Sequence, residues 1–162
     1  MELTMMKRVL ALLILGFAAG SSAETLTFPA FSIDVATDWK HGVEEHAFAS
    51  DERGELISIY RPDGVGTLKL RSWVAPADVS QDMLRNLTNV EPTKLEWREW
   101  GDVSGYQYSY IERGSFYKQW WLTNERTART ILFIVYECDA DAQGIEIEAI
   151  DEMVSSIRMN WS

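Results

Sequence analysis

Residues 130–138 read TILFIVYEC, and the six from Ile131 to Tyr136 are all apolar or aromatic. The run is too short to cross a membrane. A half-buried strand would alternate apolar with polar residues, so an unbroken run of this length reads as a strand buried on both faces. Such a strand belongs in the middle of a sheet, with neighbours on both edges and cover above and below. The rest of the chain offers candidates for each of these.

Upstream, Phe31 to Val35 alternates and reads as a strand, followed by the polar break Thr37-Asp38 and Trp39. Val43 to Ala49 reads as a weaker strand, Asp51-Glu52-Arg53-Gly54 as a turn and Leu56 to Tyr60 as a strong strand. Pro62-Asp63-Gly64 has the residues of a tight turn. Thr67 to Val74 alternates again, with Leu68, Leu70 and Val74 on one side and Lys69, Arg71 and Trp73 on the other. After Pro76, Asp78 to Asn89 reads as a helix. Asp78 and Gln81 stand at capping-box spacing, and Val79, Met83, Leu87 and Val90 recur at helical intervals. From Lys94 the chain becomes an aromatic meander. Its strands fall at Lys94 to Glu99, Ser104 to Glu112 and Phe116 to Thr123, with short turns at Gly101-Asp102 and Arg113-Gly114. A closing helix is expected from Ile145 to Arg158, with Ile147, Ile150, Val154 and Ile157 as its apolar stripe.

This order of elements predicts an α+β domain: an antiparallel sheet of about six or seven strands with helices packed on it. The order also resembles a known superfamily. A strand, the Asp38-Trp39 break, three strands, a helix, an aromatic meander and a closing helix with Ile147, Ile150, Val154, Ser156 and Ile157 in this spacing look like the PsbP-like α/β/α sandwich. That superfamily includes extrinsic photosystem proteins and a Ran-binding nuclear import factor, and many bacterial relatives are exported or belong to secretion systems. The resemblance implies a binding or accessory domain and no shared active site.

Ahead of this domain, Lys7-Arg8, the apolar stretch Val9 to Ala19 and the small residues Gly20-Ser21-Ser22-Ala23 have the layout of a cleaved export leader. The expected division is a signal peptide at 1–23 and a single domain at 24–162, periplasmic or secreted, with no membrane insertion after cleavage. The chain has a net charge of −10, and losing Lys7, Arg8 and Glu2 leaves −11. So acidic a surface repels nucleic acid and anionic lipid and favours basic partners. Cys138 is the single cysteine, so an intramolecular disulfide is excluded and stability must come from the core. At the end of the buried strand it reads as a small buried hydrophobe.

No residue set carries a strong catalytic signature. His41, Glu44, Glu45 and His46 are zinc-ligand types, but the histidines are five apart in an expected strand, which places them on opposite faces. Glu137, Asp139 and Asp141 lack the spacing of a calcium loop, and Asp141 reads as a helix cap. Gly64-Val65-Gly66 is not a phosphate-cradling glycine loop, because it lies in a turn between strands rather than before a helix. No metal and no cofactor is expected.

The aromatics are the compositional oddity, with seven tryptophans in the chain. Trp120 and Trp121 must point to opposite faces, one into the core. Lys69, Arg71 and Trp73 share one face of their strand, and Tyr106, Tyr108 and Tyr110 share one face of theirs. These six are the candidate binding residues, because interfaces favour Trp, Tyr and Arg. The expected function is a non-enzymatic binding or accessory protein with a protein partner. The alternatives are a small-ligand carrier with an aromatic-lined pocket and a metal-dependent hydrolase.

Overall fold

The computed structural model describes residues 22–47 and 53–160. The leader up to residue 21 and the expected turn residues Asp51 and Glu52 lie outside them. The strands among the described residues are β1 (Ala23–Thr27), β2 (Phe31–Ala36), β3 (Lys40–Ala47), β4 (Arg53–Tyr60), β5 (Gly66–Val74), β6 (Glu96–Trp100), β7 (Val103–Glu112), β8 (Ser115–Thr123), β9 (Thr130–Asp139) and β10 (Arg158–Met159). Among the described residues two α-helices, α1 (Gln81–Thr88) and α2 (Ile147–Ser155), follow β5 and β9.

Seven strands form one antiparallel sheet in the order β3-β4-β5-β9-β8-β7-β6, so the apolar strand β9 stands at its centre. Short turns give the meander its order. Arg113 and Gly114, between β7 and β8, both have positive φ (50° and 85°), the conformation of a two-residue hairpin turn whose twist matches the strands. That turn fixes the register, pairing Ile111 with Phe116, Tyr110 with Tyr117 and Tyr106 with Trp121.

Alternation then sorts the side chains. Ile57, Ile59, Leu68, Leu70, Trp120, Leu122, Leu132, Ile134 and Tyr136 point to one face, the inner one, and none is more than 2% exposed. Trp120 is thus the core member of its pair. The inner face is covered by α2, through Ile150 and Val154, and by a second antiparallel sheet in the order β1-β2-β10, through Phe31, Ile33, Val35 and Met159. Among the described residues, the outer face is covered only at one end, where Leu84 and Met83 of α1 meet Tyr106, Ile131, Trp73 and Trp121. A small sheet and a helix therefore share the inner side, and one short helix serves the outer side. The fold is thus α+β, an antiparallel sheet with few helices packed on it.

Several expectations need correction. The strand β9 is not buried on both faces along its length. Phe133, Val135 and Glu137 are half-buried because the eight-residue α1 ends over Ile131. That helix starts at Gln81, not Asp78. The Val79 amide donates to the Ala128 carbonyl and holds the chain extended, and Ser80 then caps the helix by accepting from the Met83 amide at 3.1 Å. Arg53 and Gly54 belong to β4 rather than a turn. Asp141 sits inside a single 3-10 turn, Ala140–Ala142, and the N-cap position of α2 is Glu146. The closing helix ends at Ser155 because the Ser156 hydroxyl donates to the Met153 carbonyl and accepts from the Asp34 amide. Arg158 therefore leaves the helix and enters β10, opposite Ser32.

Candidate interaction face

The outer face is laid out by the strand registers. From β7 across to β5, one row holds Tyr106, Trp121, Phe133 and Arg71. The next holds Tyr108, Gln119, Val135 and Lys69, and the third Tyr110, Tyr117, Glu137 and Thr67. The two candidate runs, Lys69-Arg71-Trp73 and Tyr106-Tyr108-Tyr110, therefore share one surface although two strands separate them. Trp121, the outer member of the tryptophan pair, joins them there.

α1 divides this surface. Beneath it, Trp73 packs edge-on against Trp121 with ring centres 6.1 Å apart, and Trp121 lies 4.5 Å from the Phe133 ring. The Arg71 guanidinium lies over the Trp73 ring at 4.8 Å, a cation–π contact. Tyr106 is only 7% exposed, packed beneath Leu84 and 5.0 Å from the Trp97 ring. Tyr106 thus leaves the set of candidate contacts, because its alternation puts it on the outer face where the helix already sits. Trp73 is half-buried by the same helix.

Beyond α1 the surface is open and polar atoms link it. The Tyr108 hydroxyl donates to Gln119 Oε1 at 2.6 Å, and Gln119 Nε2 donates to the Tyr110 hydroxyl at 3.0 Å. The Tyr110 ring stacks on Tyr108 at 5.9 Å and on Tyr117 at 5.0 Å. The Tyr117 hydroxyl donates to Glu137 Oε1 at 3.1 Å, and Lys69 Nζ lies 3.7 Å from the other oxygen of that carboxylate. One continuous network thus runs across β7, β8, β9 and β5. Its members are half-buried. Burial, first of all, holds the Tyr108 and Tyr110 hydroxyls above the usual phenol range, so both are neutral donors at ordinary pH.

Tyr117, Gln119 and Glu137 were not among the sequence candidates. The signal for Tyr117 and Gln119 was present: the Arg113-Gly114 turn sets each opposite a tyrosine of β7. Glu137, which the sequence offers only beside Asp139 and Asp141 as a weak calcium set, sits within β9, opposite Tyr117.

The other candidate chemistries sit elsewhere. His41 lies in edge strand β3, paired with Ile59 and exposed. Among the described residues, no three His, Cys, Asp or Glu side chains are placed to hold a metal ion. The Cys138 thiol is buried, and burial first, then the carboxylates of Glu146, Asp139 and Glu137, push its pKa up, which keeps it protonated and a poor nucleophile.

No family model and no curated protein matches the sequence. Among solved structures, the chain is similar to a crystal structure from Bacteroides thetaiotaomicron, with a TM-score of 0.58 and 15% identity over 82% of this chain and 46% of that one. The chain thus spans about half the length of that protein. It is also similar to a cyanobacterial PsbP (CyanoP) from Synechocystis, at TM-score 0.49 and 11% identity over 90% of this chain and 96% of that one. A third similarity is to LpqN, described as involved in cell envelope biogenesis of Mycobacterium tuberculosis, at TM-score 0.46 and 14% identity over 86% of this chain and 91% of that one. A PsbP is thus among the solved structures to which this chain is similar.

Proposed function

We propose that this protein is an exported binding or accessory module that holds a protein partner on the open half of the outer face. The observation that carries this reading is the network from Tyr108 through Gln119, Tyr110, Tyr117 and Glu137 to Lys69. It lies half-exposed on a sheet whose opposite face is filled. Tyrosines held by neighbours lose little rotamer freedom when a partner arrives, which lowers the cost of binding. Tyr, Trp and Arg are also the residues on which interface energy concentrates. The leader pattern ahead of the domain supports export, and the net charge of −10 argues against a nucleic-acid partner.

The small-ligand reading has less support. It needs a cavity lined by Trp and Tyr, but Trp120 and Tyr136 are packed solid beneath α2. A cavity of about 190 Å³ lies between Phe28–Phe31 and Ile57, Glu55 and Ser72. It is smaller than the several hundred Å³ usual for such sites and has no Trp or Tyr in its lining.

The test is comparative retention in the native compartment. Wild type, Lys69→Glu with Tyr110→Ala, and a control changed on the far side at Glu152→Gln are used as bait. A partner held by wild type and control but lost by the double variant, with affinity falling by about 1–3 kcal/mol per anchor, supports the reading. Equal retention by all three would place the interface elsewhere.

A further inference from the structure

Glu146 is 2% exposed, and a buried carboxylate is costly unless donors surround it. It occupies the N-cap position of α2, yet its side chain makes no cap hydrogen bond to that helix. Instead it turns into the sheet. One oxygen, Oε2, accepts from the Gly66 amide and from the Tyr136 hydroxyl, both at 3.1 Å, and Oε1 accepts from the Val65 amide at 3.3 Å.

Two successive amides aimed at one point make a backbone anion cradle. Both flanking glycines are required for it. A Cβ at Gly64 would collide with Glu146 Oε1 and with Arg61, and a Cβ at Gly66 would collide with the Tyr136 ring. The Gly64-Val65-Gly66 stretch, out of context for a phosphate loop, therefore still builds an anion site, with an anion from the same chain inside it.

We infer that Glu146 is the resident anion of this cradle, a latch that fixes the start of α2 to the β4–β5 turn, and that the vacated cradle takes a small carboxylate from solution. The latch sets where Ile150 and Val154 meet the inner face, since α2 begins one residue after it. It also accounts for an acidic residue at a core position that pairs with no cation among the described residues. Three neutral donors share the charge. Tyr136, a full strand away from the turn, supplies one of them, so β9, the turn and α2 are held at a single point. This inference does not depend on the partner reading, because the cradle opens to the inner layer and not to the outer face.

The test is chemical rescue. Glu146→Ala should lower the melting temperature by roughly 5–10 °C, since it strands two amides and a hydroxyl. Hydrogen exchange should quicken at Val65, Gly66 and the first turn of α2 while β7 and β8 stay protected. Sodium formate should restore both readouts saturably, and sodium chloride at equal ionic strength should not. Glu146→Gln, which keeps the shape and one acceptor oxygen, should lose less than Glu146→Ala, and it carries the exchange test if the alanine variant does not fold. Unchanged exchange in both variants would overturn the latch. Equal effects of formate and chloride would overturn the cradle.

Discussion

The two faces of the large sheet are built from the same strands and differ by one residue in register, yet they are held in different ways. The inner face is a close-packed layer in which Leu68, Leu70, Trp120, Leu122, Leu132 and Ile134 are fully buried. The outer face beyond α1 is held by hydrogen bonds and ring contacts among half-exposed side chains. A packed layer cannot lose a side chain without leaving a cavity. A linked surface can exchange its mutual contacts for contacts with a partner. The first is therefore where stability resides, and the second is where a partner can be held without unfolding the domain.

The contrast can be broken most severely from inside. Trp120→Ala should destabilise by about 3–5 kcal/mol and Leu70→Ala by about 2–5 kcal/mol, measured by denaturant melts with unchanged slope. Within the outer face, α1 draws a boundary that mutation should reproduce. Tyr106→Ala, beneath Leu84, should cost about 3 kcal/mol, and Tyr110→Ala, four residues along the same strand but past the helix, about 1 kcal/mol. Equal costs at the two positions would mean that the open half is core after all.

Alkaline pH sharpens the comparison further. Burial, above all, raises the Tyr136 hydroxyl well beyond the usual phenol range and raises Tyr108 and Tyr110 as well. The folded state then keeps protons that the unfolded chain gives up near pH 10. Stability from these groups is complete below about pH 10 and is lost as pH rises above it. Ultraviolet titration of tyrosinate should show Tyr136 last to ionise, and Tyr136→Phe should weaken that alkaline loss. The smallest effect is expected from Lys69→Ala. Its pair with Glu137 spans 3.7 Å between side chains that are each 40% exposed, so thermal stability should change by no more than about 1 kcal/mol.

Much of this architecture could be read from residue patterns. Period-two alternation in Thr67–Val74 and Ser104–Glu112 marked β5 and β7 and told which side chains share a face. The apolar run at Ile131–Tyr136 marked the central strand. The small sheet was harder to read. β10 is two residues long and exists only because β2 offers its backbone, and β1 buries just Leu26, so neither carries a periodic signal. The open half of the outer face was illegible for a different reason. Alternation places Tyr106 and Tyr110 on the same side, but only the length and docking of α1 decide that one is covered and the other is not. Helix length in turn depended on where Ser80 could cap, which a distant contact between Val79 and Ala128 determines.

The most direct measurement of whether the open half is a working surface is hydroxyl-radical footprinting of the tyrosines, in the purified protein and in intact cells. If it is one, Tyr110 and Tyr117 react in the purified protein while Tyr106 and Tyr136 do not, and Tyr110 and Tyr117 become protected in the cell. Reactivity at Tyr110 and Tyr117 that is the same in both settings, or absent from the purified protein, would contradict it.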